Sequence, residues 1–405
     1  MKISVLNIGN ELLKGSTANT NLASIGQELL KLGVPPIIQM TVNDDPNDMK
    51  EAIAYLEKRS DVIISTGGLG PTTDDITVEI FADYFGLKLY TDEKVIEHIH
   101  NIMGKDKILS VHNKKQAIVP VGSTILENRN GTAPGISFEA NGKLIFLLPG
   151  PPSELIPLFK ENVLTSIRSR LKEKVYFESL YTVGIAESEL QRIVSENIKE
   201  NQKLYIAYRA EPGGCELTFS SPMEILVSEA ITKIRSVLGL SILDYGCKNI
   251  AEEIIKLLAE RKMTLSLAES CTGGMIASKI VDVPGSSKVF KGSVTAYLNE
   301  IKMHLLKVKE NTLLKYGAVS EECAKEMAEG CANLFNTDIA LSATGIAGPD
   351  GGTSSKPVGT VFISVTFHNR TLTKKFLIKG DRSRIRIRST AFALNLLRNV
   401  LLEIS

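Results

Sequence analysis

The chain contains no tryptophan, only five histidines and five cysteines, and carries a formal net charge of just +1. It also has no apolar stretch near the ~20 residues that cross a bilayer. The missing tryptophan decides nothing about function. The balanced charge removes the electrostatic reason to expect a nucleic-acid or anionic-membrane surface. The cysteines, Cys215, Cys247, Cys271, Cys323 and Cys331, are odd in number and form no C-x-x-C. Reduced thiols in a cytoplasm are the simplest account of them. The opening MKISVLNIGNELLKG has too short and too polar an apolar run for a secretory signal, so a cytoplasmic location is expected.

What is present is a soluble composition, 43% hydrophobic and 23% charged, in 405 residues. That length is too great for one ordinary core and predicts two or three domains. Short apolar strands alternate with helical stretches from the start. Strands are expected over Lys2 to Ile8, Ile37 to Val42, Val62 to Ser65 and Leu144 to Leu148. Helices are expected over Ser24 to Leu32, Met49 to Arg59 and Thr77 to Phe85. A second such pattern runs from about Lys248 to the C-terminus, with a small α+β stretch between. The expected fold class is α/β: two domains with largely parallel sheets, over 1–170 and 247–405, joined by a small α+β domain over 171–246.

The most informative local pattern is LSLAESCTGG, Leu265 to Gly274. An apolar strand enters a Ser-Cys-Thr-Gly-Gly turn and then a helix, which places the Ser270 hydroxyl beside backbone amides at a helix start. Such a start favours an anion, either a ligand phosphate or the oxyanion of acyl transfer. A serine nucleophile needs a base. Histidine is poorly supplied: only His304 and His368 lie in this half of the chain, neither in a glycine-rich turn. A Ser-Lys pair remains, provided a desolvated lysine stays neutral. Cys271 is the competing nucleophile, against the reading that it simply fills the turn.

AESCTGG, VPGSSKVFKGSVTAYLNEIK, GAVSE (317–321), TGIAGPDGG, KPVGTV (356–361) and GDR (380–382), in this order, closely resemble the nicotinamide-nucleotide amidohydrolase domain of the CinA family. The resemblance implies hydrolysis of the carboxamide of nicotinamide mononucleotide to nicotinic acid mononucleotide and ammonia. It implies Ser270 as nucleophile, Lys302 as base and Tyr297 as an assistant. It also implies Thr344 at the substrate and Arg382 at the phosphate, with Arg386 second. Thr272, Gly273, Asn299 and Gly345 complete the expected substrate contacts. No cofactor is implied for this reaction. The family's usual Tyr-Ser-Asn is Tyr297-Leu298-Asn299 here, so the middle hydroxyl is lost.

Near the N-terminus, Gly9 to Gly15 follows the first strand, with Asn19-Thr20-Asn21 behind it. Thr66-Gly67-Gly68-Leu69-Gly70-Pro71-Thr72-Thr73-Asp74-Asp75 follows another strand. Glycines let a backbone approach a ligand, and free amides at a helix start suit phosphate. Carboxylates beside a phosphate point to a divalent cation, Mg²⁺ by default. Alternatively, Asp74 and Asp75 only cap the helix beginning near Ile76.

With GTAPG (131–135) and LLPGPPSE (147–154), this region resembles the molybdopterin-binding fold found at the N-terminus of CinA proteins. The resemblance implies metal-dependent cleavage of ADP-ribose to AMP and ribose 5-phosphate. Glu11, Asp45 and Asp75 are expected at the metal or the attacking water, with Asp45 and Asp75 as metal ligands. Gly67, Gly68 and Gly70 are expected at the phosphates, Asn19 or Asn21 at the sugar, and Asp74 at the nucleotide. Lys14 either neutralises phosphate or is solvated.

The middle segment corresponds to the family's KH-like domain. Its turn, Pro212-Gly213-Gly214-Cys215, is flanked by Glu211 and Glu216, which repel phosphates, so a spacer or a dimer contact is expected rather than nucleic-acid binding. The expected partners are therefore small nucleotides and a second copy of the chain, with no nucleic acid or membrane. Two other readings stay open. The amidase is fused to a non-catalytic molybdopterin- or nucleotide-binding domain, or the chain is a competence or DNA-damage accessory.

Overall fold

The computed structural model describes residues 1–104, 109–171, 174–199, 201–244, 246–368 and 370–404. They form two compact units. One comprises Met1–Phe177 with Ser220–Glu224, the other Glu178–Phe219 with Ile225–Ser405. The segment expected as a separate middle domain is thus divided, most of it packing with the C-terminal half.

In the first unit the elements that position the cavity are β1 (Ile3–Ile8), α1 (Thr20–Lys31), β2 (Ile38–Val42), α2 (Pro46–Glu57), β3 (Val62–Thr66) and α3 (Thr77–Phe85). Three later strands, β4 (Thr124–Leu126), β5 (Gly135–Ala140) and β6 (Lys143–Leu148), complete the sheet in the order β2-β1-β3-β6-β5-β4. The first four in that order are parallel, and β5 and β4 are added antiparallel. Side-chain alternation sends Ile3 and Val5 of β1 to one face, against Ile25 and Leu29 of α1. Leu6 and Ile8 go to the other, against Met49 and Ile53 of α2. Coverage on both faces is why these strands read as nearly continuous apolar runs.

The second unit begins with the three-stranded sheet of β7 (Tyr176–Val183), β8 (Tyr205–Glu211) and β9 (Gly214–Ser221), in the order β8-β9-β7. The helices α4 (Glu187–Asn197) and α5 (Glu224–Leu238) accompany it. Then follow α6 (Ile250–Glu260), β10 (Leu265–Glu269), α7 (Met275–Val281), β11 (Phe290–Thr295), α8 (Asn299–His304), α9 (Glu321–Phe335), β12 (Ile339–Gly345), β13 (Thr360–Phe367), β14 (Arg370–Leu377) and α10 (Arg382–Glu403). The sheet order is β11-β10-β12-β13-β14. β10 lies parallel to both neighbours, while β13 and β14 form an antiparallel edge. Leu265 and Leu267 pack beneath α6 and α10 with Ile254, Leu258 and Leu397. Ala268 faces the other cluster, with Met327 and Cys331 of α9.

The turn at Pro212 to Gly214 lies against this packing. A Cβ on Gly213 would meet Ala391 Cβ of α10 at 2.8 Å, and one on Gly214 would meet the Thr182 carbonyl at 1.8 Å. Close packing accounts for both glycines. Among the described residues no helix is long and apolar enough to cross a membrane.

Candidate active site

Ser270 sits directly beyond the buried end of β10. Its amide donates to the Ala343 carbonyl of β12 at 2.9 Å, and its side chain is 9% exposed. Opposite it is Lys302, on α8. The Lys302 side chain is 1% exposed, and its Nζ lies 3.2 Å from Ser270 Oγ. Two carbonyls, those of Ala296 at 2.7 Å and Tyr297 at 3.3 Å, accept from the same nitrogen.

No carboxylate forms an ion pair with Lys302 among the described residues. Burial, the largest influence, drives its pKa below the ordinary lysine value of 10.5. Nζ donates to the Ser270 hydroxyl and to the two carbonyls; with one proton lost, the two carbonyls would keep their N–H donors and a lone pair would be left for the Ser270 hydroxyl. Cys271, the competing nucleophile, is 6% exposed, and burial pushes its thiol up to about 11. It is therefore protonated at neutral pH.

The amides after Ser270 are only partly available. Glu269, fully buried, accepts from the amides of Gly274, Ile276 and Ala277 at 2.9, 3.1 and 2.8 Å. Its carboxylate thus occupies the start of α7 and corrects the expectation that this helix start meets the developing oxyanion. The Gly273 amide turns back to the Ser270 carbonyl at 3.2 Å. The Thr272 amide donates to nothing among the described residues, and the Cys271 amide meets only its own thiol. They are the donors left for an oxyanion.

Several expected substrate contacts are engaged elsewhere. The Thr344 hydroxyl donates to the Ala318 carbonyl at 2.8 Å. The Tyr297 phenol, on a side chain 59% exposed, accepts from Arg382 at 2.8 Å. No hydrogen bond joins that hydroxyl to Ser270 or Lys302, so it is not a proton relay in this arrangement. Arg382 also donates to the Gly348 carbonyl at 2.7 Å. Arg386 is directed at the backbone of the nucleophile turn, donating to the carbonyls of Cys271 at 3.2 Å and Thr272 at 2.9 Å. The Thr272 side chain is fully buried, and its hydroxyl has no partner. A Cβ on Gly345 would meet the Thr360 carbonyl at 2.9 Å, so close strand packing accounts for that glycine. Asn299 is exposed at the start of α8. His304 is exposed at its end, clear of the Ser270–Lys302 pair.

In the first unit, the loops after β1, β3 and β6 enclose a cavity of about 740 Å³. Glu11, Asn19, Asn21, Gly67, Gly68, Gly70, Asp74 and Asp75 all line it, as expected. A Cβ on Gly67 would meet the Ile8 carbonyl at 2.2 Å, and its φ of +98° is a second reason for glycine there. Asn21 donates to the Gly150 carbonyl at 2.7 Å, and Asn19 caps α1 through the Leu22 amide. The other amide atoms of these two side chains, Asn21 Oδ1 and Asn19 Nδ2, have no partner. Asp75 accepts from the Thr72 amide at 2.8 Å and the Thr72 hydroxyl at 2.6 Å.

Two expectations are corrected here. Asp45 does not line the cavity: it caps α2 by accepting from the Asn47 and Asp48 amides. Its neighbour Asp44 lines it instead. Burial is the largest influence raising the Asp44 pKa, and the facing carboxylates Glu11, Asp75 and Asp74 add to it. Lys14 is exposed and outside the lining, so it neutralises nothing there. Indeed no lysine or arginine lines this cavity among the described residues, while Glu11, Asp44, Asp74, Asp75 and Glu154 do.

Residues 247–401 match the family described as CinA C-terminal domain, and residues 4–169 match that described as Probable molybdopterin binding domain. A CinA-like protein of Dictyoglomus turgidum is 41% identical over 411 residues, covering 100% of both chains. The chain belongs to the CinA family. Among solved structures, the CinA protein with unknown function from Thermoplasma acidophilum is 38% identical, covering 41% of this chain and 97% of that one, with a TM-score of 0.39. The competence/damage inducible protein CihA from Agrobacterium tumefaciens is 35% identical, covering 38% of this chain and 93% of that one, with a TM-score of 0.37.

Three features of this CinA chain escape sequence reasoning. Glu269 lies five residues ahead of the cap position Gly274, outside the spacing of a local capping signal. Pro46 does mark Asp45 as a cap, because proline favours the first helical position. The attachment of Arg386 to a turn 114 and 115 residues away in the chain had no local signal.

Proposed function

We propose that the C-terminal half hydrolyses the carboxamide of nicotinamide mononucleotide, releasing ammonia and leaving nicotinic acid mononucleotide. The carrying observation is the buried Lys302 nitrogen, without a carboxylate partner, 3.2 Å from Ser270 Oγ. Neutral Lys302 takes the Ser270 proton as Oγ bonds to the amide carbon, and the carbonyl oxygen becomes an oxyanion. The Cys271 and Thr272 amides are the donors proposed for this charge. Lys302, now an ammonium, gives its proton to the departing nitrogen as the C–N bond breaks, leaving an ester on Ser270 and free ammonia. Water then attacks the ester, Lys302 takes its proton, and Ser270 leaves with that proton restored. Arg382 and Tyr297, both exposed and hydrogen-bonded to each other, are the residues proposed to meet the phosphate and the ribose.

For the first unit, we propose hydrolysis of the pyrophosphate of ADP-ribose to AMP and ribose 5-phosphate, with a divalent cation bound. The donor set fits a hard cation, because five carboxylates and, among the described residues, no basic side chain line one cavity. Among the described residues no three ligating side chains are already gathered on one point. Asp44, with its neighbours Glu11 and Asp75, would hold the ion. When bound, the cation neutralises phosphate charge that the chain itself leaves unmatched. The glycine turn at Gly67 to Gly70 lets the backbone approach the phosphates, and Asn19 and Asn21 hold the sugar.

Ammonia release from nicotinamide mononucleotide in EDTA, by the parent, Ser270→Ala and Lys302→Met, tests the first reaction. Turnover by the parent with loss in both variants is expected. An inert parent, or an undiminished Ser270→Ala, contradicts it. AMP release from ADP-ribose with and without chelator tests the second.

A further inference from the structure

Glu269 takes three amides from the start of α7, which leaves the nucleophile turn short of donors at the point where acyl transfer most needs them. Behind the turn stands Arg386 of α10. Its Nε donates to the Cys271 carbonyl at 3.2 Å and one Nη to the Thr272 carbonyl at 2.9 Å. Among the described residues Arg386 forms no ion pair, so its positive charge is not cancelled by a carboxylate.

In a trans peptide the carbonyl of one residue and the amide of the next point in opposite directions. Holding the Cys271 carbonyl against the guanidinium therefore turns the Thr272 amide away from it. The Cys271 amide is fixed in the same manner, because the Ser270 carbonyl of its peptide accepts from Gly273. Both amides are thus held in direction by bonds made on the far side of their own peptides. A guanidinium on a carbonyl also polarises that peptide, making its amide a stronger donor. Gly273 is part of the same arrangement: a Cβ there would lie 3.2 Å from Arg386 Nη2, and its φ is +61°.

We propose that Arg386 is a positioning residue for the oxyanion site. It sets and polarises the Cys271–Thr272 peptide so that the Thr272 amide, with that of Cys271, receives the charge formed when Ser270 attacks. It touches neither the phosphate nor the ribose. This inference rests on the Ser270–Lys302 amidase reading.

The test is steady-state hydrolysis of nicotinamide mononucleotide by Arg386→Ala and Arg386→Lys, with thermal melting of each and added guanidinium chloride at millimolar concentration. Arg386→Ala should lose about 10- to 100-fold in kcat with KM within twofold, since the donors are loosened rather than deleted. Arg386→Lys should recover part of the rate, and guanidinium ion should partly rescue Arg386→Ala. A raised KM with unchanged kcat would show that Arg386 meets the substrate and overturn the proposal. So would unchanged kinetics, or a rate loss that guanidinium and lysine both fail to relieve. If Arg386→Ala does not fold, Arg386→Lys alone decides by the same kcat and KM comparison. A parent inert on this substrate defeats the amidase reading and this proposal together, whereas an active parent with any overturning variant result defeats only the latter.

Discussion

The Ser270 turn and the N-terminal cavity both lie beyond the carboxyl ends of parallel strands, yet they handle their polar groups in opposite ways. Around Ser270 most groups have partners within the chain. Glu269 is satisfied by three amides, Arg386 by two carbonyls, and Lys302 by two carbonyls and a hydroxyl. In the cavity, five carboxylates face one space without a basic residue among the described residues, and two asparagine side chains keep unpartnered atoms. The first arrangement has its polar groups largely joined to one another. The second gathers negative charge, which the proposed cation would neutralise.

The widest separation between the two sites should come from their key side chains. Lys302→Met is expected to lower amide hydrolysis by about 10³-fold, the size of a lost general base, and Ser270→Ala at least as much. Neither should affect ADP-ribose cleavage, and paired assays on the same preparations check this. EDTA should do the reverse, abolishing AMP release while leaving ammonia release unchanged. Equal sensitivity of both activities would erase the distinction.

Asp44→Asn sharpens it further. The raised pKa of Asp44 means the folded state holds its proton more tightly than the unfolded chain does. Stability is therefore lost as pH rises from the ordinary value of 3.8 through the folded one, and at neutral pH the charged carboxylate is a liability. Asp44→Asn should raise the melting temperature without added metal and reduce the stabilisation produced by Mg²⁺, measured by thermal shift. Asp45→Ala gives the smallest effect, about 1 kcal/mol of stability from the lost helix cap. Its Mg²⁺-induced shift should match the parent's.

The course of the chain was largely legible from its sequence, because strands covered on both faces must be apolar throughout and their helices keep a regular spacing. Boundaries moved where caps lie outside the apolar pattern. Asn19 starts α1 at Thr20 rather than Ser24, and Asp45 with Pro46 starts α2 before Met49. At the sites, Ser270 and the Gly67–Gly70 turn stood out by residue type and position, whereas Lys302 was singled out only through the family resemblance. Asp44 and the backbone contacts of Arg386 went unseen for different reasons. Adjacent aspartates cannot be told apart until one is seen to cap a helix. The partner of a long guanidinium depends on which turn the fold brings beneath it.

The proposed Ser-Lys mechanism requires Lys302 to be neutral when Ser270 attacks, and the pH dependence of kcat/KM for nicotinamide mononucleotide tests that most directly. Burial lowers the lysine pKa, so the rate should rise with pH through a midpoint below 10.5. That limb should vanish in Lys302→Met, whose residual rate lacks the base. A parent profile with no ionisation in this range, or the same limb retained in Lys302→Met, would contradict the Ser-Lys mechanism.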